Sequence, residues 1–144
     1  MALSLFSVIC VLHSMIALTT GTLMMFQMNE IYALTHGAEA AAKLQGSTEE
    51  ARLLIETADA FSGLLLCGIG FLLLMVAFVK DKEFQGFFAK GCVLLHASMA
   101  IWRYNFERRM EDLAWDWLRL TVGDILLALS WVFFLVYSWK VKYD

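Results

Sequence analysis

The stretch that decides the fold is FSGLLLCGIGFLLLMVAFV, residues 61–79. It contains no charged residue, and its length suits a helix that crosses a bilayer, which takes roughly 20 residues. Three further apolar runs accompany it, at residues 3–29, 84–106 and 122–139. We therefore predict an all-α, polytopic membrane protein, a four-helix bundle whose second span covers residues 59–79.

The composition agrees with this pattern. Hydrophobic residues make up 60% of the 144 residues, more than a water-soluble domain of this size could bury. The net charge is −3, and no basic block suggests nucleic acid as a partner. The longest polar interval, residues 30–59, is too short to build its own core. We therefore predict a single membrane domain over residues 1–144.

Cysteine usage does not indicate a redox compartment. Cys10, Cys67 and Cys92 are odd in number, and each lies inside an apolar run, so we interpret them as packing residues. The first run could be a cleaved signal peptide. However, no basic segment precedes it, and it is longer than the roughly 7–15 apolar residues of a signal core. We expect it to remain as a span.

Proline is absent from the chain, so helix boundaries must come from glycines, charges and capping residues. The first helix is predicted to run from about residue 3 to residue 34, before the turn-prone pair His36-Gly37. A short helix over residues 39–43 follows, with a charge pair between its first and last residues. Gly46 is predicted to end it.

Two capping signals and one turn mark the later boundaries. Ser47 stands three residues before Glu50, a capping box that predicts the start of the second helix in water. Residues 80–83 are charged and too few for anything but a tight turn, which predicts an antiparallel pairing of the second and third spans. Thr121, three residues before Asp124, is a weaker signal for the start of the fourth span.

A short amphipathic helix is predicted between the third and fourth spans. Its apolar residues recur at helical spacing, while charged residues take the other positions. Such a helix lies in the membrane interface rather than across it. The apolar positions are Met110, Leu113, Ala114, Trp117 and Leu118.

Ionisable groups inside a span are costly and are functional candidates by default. Five such residues lie in the predicted spans: His13, Lys90, His96, Arg103 and Asp124. Lys90 can extend its amine to the boundary near residues 80–83, which indicates a structural anchor. Arg103 and Asp124 lie at the same membrane boundary, where a structural ion pair and a ligand-binding role are both open.

The two histidines in the spans fall near mid-depth of helices that run in the same direction. His13 has Cys10 on its face, and His96 has Cys92 on its face, so haem iron, zinc or copper can be considered. The alternative is that each histidine bonds a backbone carbonyl or a hydroxyl such as Ser14. No motif provides four ligands and no acidic residue is expected beside them, so we predict no metal and no cofactor. The candidate ligand-binding residues are His13, His96, Arg103 and Asp124.

Small residues recur along one stripe of the second span, at alternating three- and four-residue steps. Another helix backbone can approach such a stripe closely. The predicted packing residues are Ala60, Gly63, Cys67, Gly70 and Ala77 on the second span and Ala17 and Gly21 on the first. The sequence contains no nucleophile elbow, phosphate-binding glycine loop or paired-histidine metalloprotease motif, which favours a packing role over catalysis.

Lys140 and Lys142 are the fifth and third residues from the end of the sequence. This spacing resembles the dilysine retrieval signal of endoplasmic reticulum membrane proteins. The alternative is that both lysines anchor the last span at the interface. If the signal operates, four spans place both the N- and C-termini in the cytosol. We predict an integral protein of the endoplasmic reticulum membrane with that orientation.

Two segments carry a resemblance to known proteins. GFLLLMVAFVKD (70–81) and SWVFFLVYSW (130–139) resemble a family of short plant integral membrane proteins of unassigned function. This resemblance covers the chain but implies no activity, cofactor or functional residue. In size and span spacing alone, the chain is also similar to the four-span sterol-biosynthesis scaffold family of the endoplasmic reticulum, from which no residue is carried over.

These observations lead to three hypotheses. The first is a non-catalytic scaffold or accessory subunit that docks a membrane protein partner within the bilayer through its helix faces. The second is a binder or enzyme for a lipophilic small molecule such as a sterol, with a pocket near His96. The third is a haem protein or a transporter, for which four spans without helix-breaking signals give little basis.

Overall fold

The computed structural model describes residues 4–110 and 117–143, and in these residues the chain is all-helical. Four of the helices are long and apolar enough to cross a membrane, which confirms the predicted fold class. The fifth connects two of them. The helices are α1 (Leu5–Phe26), α2 (Met28–Leu44), α3 (Glu49–Val76), α4 (Lys82–Phe106) and α5 (Trp117–Tyr143).

Most of the predicted amphipathic helix falls on residues 111–116, which lie outside the described residues. A single turn of 3-10 helix, Glu107–Met110, follows α4 directly. The chain is next described at Trp117, where α5 begins.

The first predicted helix, over residues 3–34, is wrong as one continuous element because the chain breaks at Gln27. Gln27 has φ −135° and ψ 25°, between the end of α1 and the start of α2. Its N–H still donates to the Leu23 carbonyl at 2.8 Å. No proline or glycine causes the break. It falls where the uncharged run ends, where water can satisfy backbone groups that hydrocarbon would leave unpaired.

The predicted glycine breaks around α2 are confirmed. Gly37 has φ 79° and ψ 160°, and Gly46 has φ 90°, conformations that favour glycine. Between them Lys43 Nζ lies 3.5 Å from Glu39 Oε1, the expected charge pair. The cap of α3 differs by one residue from the prediction. Thr48, not Ser47, accepts a hydrogen bond from the Ala51 N–H, at 3.1 Å, because α3 begins at Glu49.

The third and fourth spans begin differently from each other. Asp81 caps α4 by accepting from the Phe84 N–H at 2.8 Å. The predicted start of the fourth span at Thr121 is wrong, since α5 already runs from Trp117 and both Thr121 and Asp124 are buried inside it. The predicted span 122–139 is therefore only part of α5.

The chain divides into two compact units. The terminal unit comprises Met1–Val11 and Met75–Asp144, and the central unit comprises Leu12–Leu74. In the terminal unit α4 packs along α5. An aromatic core joins them to the start of α1, with the Phe6 ring centroid 6.1 Å from Phe88, 5.9 Å from Trp131 and 5.4 Å from Phe134. Such aromatic pairs add stability beyond the area they bury.

In the central unit, side chains of α2 form hydrogen bonds with the N-terminal half of α3. Tyr32 donates its hydroxyl to Asp59 Oδ2 at 3.0 Å, and Asn29 donates to Glu56 Oε1 at 3.4 Å. Burial, with the negative charge of Asp59 and its hydrogen bond, raises the pKa of Tyr32 to about 12. The phenol therefore keeps its proton at physiological pH and remains a donor, which directs α2 toward α3.

Candidate functional site

A charged cluster lies in the terminal unit, between the last turns of α4 and the second turn of α5. Arg103 Nε donates to Asp124 Oδ2 at 2.8 Å. Arg103 Nη1 donates to both carboxylate oxygens of Glu107, at 2.8 and 3.1 Å. Only 22% of the Arg103 side chain and 7% of the Asp124 side chain are exposed. Arg103 and Glu107 meet because they are four residues apart on α4 and its 3-10 extension.

His96 joins this cluster through the second oxygen of the same carboxylate. His96 Nδ1 lies 3.5 Å from Asp124 Oδ1. His96 and Arg103 are seven residues apart, two helical turns, so both lie on the face of α4 that packs against α5. The expectation that no acidic residue lies beside the histidines is therefore wrong for His96. The prediction placed Asp124 at the start of the fourth span. In the structure Asp124 lies inside α5, and its carboxylate contacts His96 and Arg103 of α4.

The chemistry of the cluster is ion pairing. Arg103 carries a permanent positive charge, and it faces the two carboxylates of Asp124 and Glu107. The guanidinium donates from Nε to Asp124 and from Nη1 to Glu107. This arrangement connects α4 to α5 through the Asp124 carboxylate.

His13 lies in the central unit, on α1, and His96 lies in the terminal unit. His13 is buried. Over residues 4–110 and 117–143, no group of three or more His, Cys, Asp or Glu side chains could hold a metal ion. Cys10 and Cys92 are buried free thiols.

In the central unit, two predicted glycines meet where α1 crosses α3. A Cβ added to Gly21 would lie 2.6 Å from the Gly63 carbonyl oxygen and 2.7 Å from Cys67 Sγ. A Cβ on Gly63 would lie 2.6 Å from the Gly21 carbonyl oxygen. All three distances are shorter than those of real Cβ contacts. The two backbones can therefore touch only because neither glycine has a side chain. We call this contact the glycine crossing.

The same two helices also meet next to the glycine crossing, through Gly70, a predicted packing residue, and Ser14, which was not predicted to pack. Ser14 donates its hydroxyl to the Gly70 carbonyl at 2.6 Å, rather than serving only as a possible partner for a histidine. A Cβ on Gly70 would lie 2.8 Å from Leu18 Cγ. The signal for Ser14 is its spacing, three residues before Ala17 and seven before Gly21, on one face of α1.

The remaining predicted packing residues differ in burial. Ala17 is buried in the central unit and Ala60 is half-buried there. Ala77 is almost fully buried, but it follows the end of α3 and belongs to the terminal unit. The predicted stripe on the second span is therefore divided between the two units.

Two shallow, open depressions lie on the described surface, and neither includes His96. One, in the terminal unit, is lined by Tyr104, Asn105, Arg108 and Arg109. The other, in the central unit, is lined by Leu18, Thr19, Thr22 and Leu23.

Residues 1–132 match the family described as "Domain of unknown function (DUF7865)". The chain belongs to the DUF7865 family. The match includes the glycine crossing and the charged cluster. No curated protein and no solved structure matches the chain.

The two candidate targeting residues lie beyond the part matched to DUF7865. Lys140 and Lys142 are in the last turn of α5, and both are exposed. The positive charge of a lysine in the last helical turn also interacts favourably with the negative end of the helix dipole. Helix α5 continues through Tyr143, so the lysines are presented on a helix.

Proposed function

We propose that this chain is a non-catalytic membrane scaffold or accessory subunit that docks another membrane protein through the outer face of α4. The observation that supports the proposal is the composition of that face. Phe87, Lys90, Gly91 and Leu94 are all exposed on the apolar part of α4. On this face Lys90 adds a positive charge, and Gly91 leaves a gap between the large side chains of Phe87 and Leu94.

Lys90 is the first argument for a protein partner. It lies eight residues into α4, and within the described residues it forms no ion pair. A lysine at the centre of a span costs about 2.5–3.5 kcal/mol on insertion scales, and less toward the interface. A carboxylate on a neighbouring transmembrane helix would offset this cost. Extension of the amine to the interface is the competing explanation, since it offsets the same cost without a partner.

Gly91 is the second argument. A Cβ at this position would meet no atom within 4 Å, so the glycine has no packing role inside the described chain. Glycine in a helix interior is less favourable than alanine by roughly 1 kcal/mol. An exposed glycine in a span lets a second helix backbone approach closely, which large lipid-facing side chains would prevent.

Substitution of Gly91 by leucine tests the docking face. Gly91→Leu is expected to abolish recovery of a stoichiometric partner in gentle detergent, because the new side chain blocks close helix approach. Gly68→Leu is the matched control, since a Cβ on Gly68 of α3 also meets nothing within 4 Å. The measurement is quantitative mass spectrometry of the co-purified proteins together with size-exclusion chromatography.

The docking proposal fails if wild-type protein is recovered without a stoichiometric partner even after crosslinking. It also fails if Gly91→Leu and Gly68→Leu keep the partner equally well, since α4 is then not the docking face. For the alternative function, a lipophilic ligand held near His96, neither of the two depressions includes that residue.

We further propose that the protein resides in the endoplasmic reticulum membrane with both termini in the cytosol. Support comes from the exposed Lys140 and Lys142 and from the resemblance to the plant family and, in architecture, to the sterol-biosynthesis scaffolds. That setting is consistent with an accessory subunit of a membrane enzyme.

A double substitution tests the location. Lys140→Ser with Lys142→Ser is expected to release an N-terminally tagged protein to later compartments, because retrieval needs both amines. Lys80→Ser with Lys82→Ser removes the same charge near another helix end and is expected to leave the location unchanged. Fluorescence microscopy with compartment markers measures both. An unchanged location of the Lys140/Lys142 variant would show that the lysines are interface anchors.

A further inference from the structure

The depression at the end of α4 has the chemistry of an anion site. It is lined by Tyr104, Asn105, Arg108 and Arg109. Arg108 Nη1 donates to the Tyr104 hydroxyl oxygen at 3.0 Å, and the Arg108 guanidinium carbon lies 5.3 Å from the Tyr104 ring centroid. Asn105 Nδ2 donates to the Ile101 carbonyl at 2.9 Å, which fixes its side chain and leaves a second amide N–H. We call this depression the arginine site.

The two arginines of the site differ from Arg103 in their surroundings. Arg103 is paired with two carboxylates. Within residues 4–110 and 117–143, neither Arg108 nor Arg109 forms an ion pair, and both are exposed. The Arg109 guanidinium carbon lies 5.7 Å from the Phe106 ring centroid, an aromatic contact that orients it without neutralising its charge. Within the described residues, two adjacent positive charges therefore share one concave surface with no paired carboxylate.

The position of the site suggests where its ligand comes from. It lies at the end of the candidate span Lys82–Arg109. The Trp102 and Phe106 rings stack there with centroids 4.0 Å apart, and both side chains are exposed. Aromatic side chains concentrate at the depth of lipid headgroups, which places the guanidinium groups at the level of the phosphates.

We propose that the arginine site binds a phosphate ester, presented by an anionic lipid headgroup such as that of phosphatidic acid. Planar guanidinium groups bind phosphate with two parallel hydrogen bonds, and the Asn105 amide adds a neutral donor. The negative end of the α4 dipole opposes an anion, but it costs less than a charge-assisted hydrogen bond contributes. This binding is separate from the docking function and does not depend on it.

Native mass spectrometry of the full-length protein in mild detergent, with added phosphatidic acid or phosphatidylcholine, tests the site. Wild-type protein is expected to retain phosphatidic acid in preference to phosphatidylcholine. Arg108→Gln with Arg109→Gln is expected to weaken phosphatidic acid binding by about tenfold or more, since two charge-assisted contacts are lost. Lys140→Gln with Lys142→Gln removes two charges from another exposed helix end and is expected to bind like the wild type.

The outcomes separate specific binding from charge alone. Equal loss in the arginine and lysine variants, or equal binding by all three proteins, overturns the arginine site. Glycerol 3-phosphate, which has the same headgroup without acyl chains, is the competitor. If it displaces the lipid at equal concentration, a lipid source is overturned and a soluble phosphate ester is the ligand. An unchanged melting temperature of the arginine variant shows that lost binding is not lost folding.

Discussion

Replacement of Asp124 by alanine is expected to destabilise the protein by about 3 kcal/mol, the lower end of the range for breaking a buried ion pair. Asp124 accepts from Arg103 at 2.8 Å and lies 3.5 Å from His96 Nδ1, so one carboxylate joins two side chains of α4 to α5. Its removal leaves the partly buried Arg103 with Glu107 alone. The lower end applies because Arg103 retains that partner.

Denaturation by sodium dodecyl sulfate in mixed micelles, followed by circular dichroism, measures this change. Glu107→Gln is the control, because Glu107 is more exposed than Asp124 and its ion pair with Arg103 lies within one helix end. It is expected to cost about 1 kcal/mol or less, since partly exposed ion pairs contribute little. The double variant Arg103→Leu with Asp124→Leu should be more stable than the sum of its two single variants predicts, since it removes both members of the buried pair and takes an arginine partner only from the more exposed Glu107. Wild-type stability in Asp124→Ala would contradict a structural role for the cluster.

Replacement of Gly63 by leucine is expected to destabilise the protein by about 3 kcal/mol or more, at or above the usual range for overpacking. The added Cβ would lie 2.6 Å from the Gly21 carbonyl oxygen and 2.9 Å from Met24 Cβ. The first of these atoms belongs to the backbone, so a rotamer change cannot relieve the clash. The glycine crossing must open, and the hydrogen bond from Ser14 to the Gly70 carbonyl is weakened with it.

Gly68→Leu on the same helix is the control for Gly63→Leu. A Cβ there meets nothing within 4 Å, so no contact opposes it. The helix gains up to about 1 kcal/mol from losing glycine's unfavourable propensity, and the stability should be unchanged or slightly raised. The same detergent denaturation compares the two variants. Equal stability of Gly63→Leu and Gly68→Leu would mean that the backbones of α1 and α3 do not meet at the glycine crossing.

Local features of the fold could be predicted because they depend on short segments. The apolar run at residues 61–79 indicated α3, and the capping box placed its start within one residue of Glu49. Gly37 and Gly46 were expected to break the helix, and both have positive φ. The break at Gln27 was missed because no residue type marks it. Gln27 lies two residues before the end of the uncharged run, and α2, which follows it, makes hydrogen bonds to α3.

The candidate site was only partly predictable. Arg103 and Asp124 were expected at one boundary, and an ion pair was one of the open roles. The contact of His96 with Asp124 was not expected, because the weak capping signal at Thr121 placed Asp124 at a helix start rather than inside α5. Glu107 was also missed, although its four-residue spacing from Arg103 was a signal for it.

By itself, the sequence determined the number and position of the candidate spans. The length of an apolar run is a property of one segment, and hydrocarbon requires every backbone group in it to be bonded within a helix. Only the tertiary structure decided that Gly21 faces Gly63 and that Asp124 joins His96 to Arg103. These contacts depend on the rotation of each helix and on the angle at which two helices cross. The periodicity of a single helix does not contain that information.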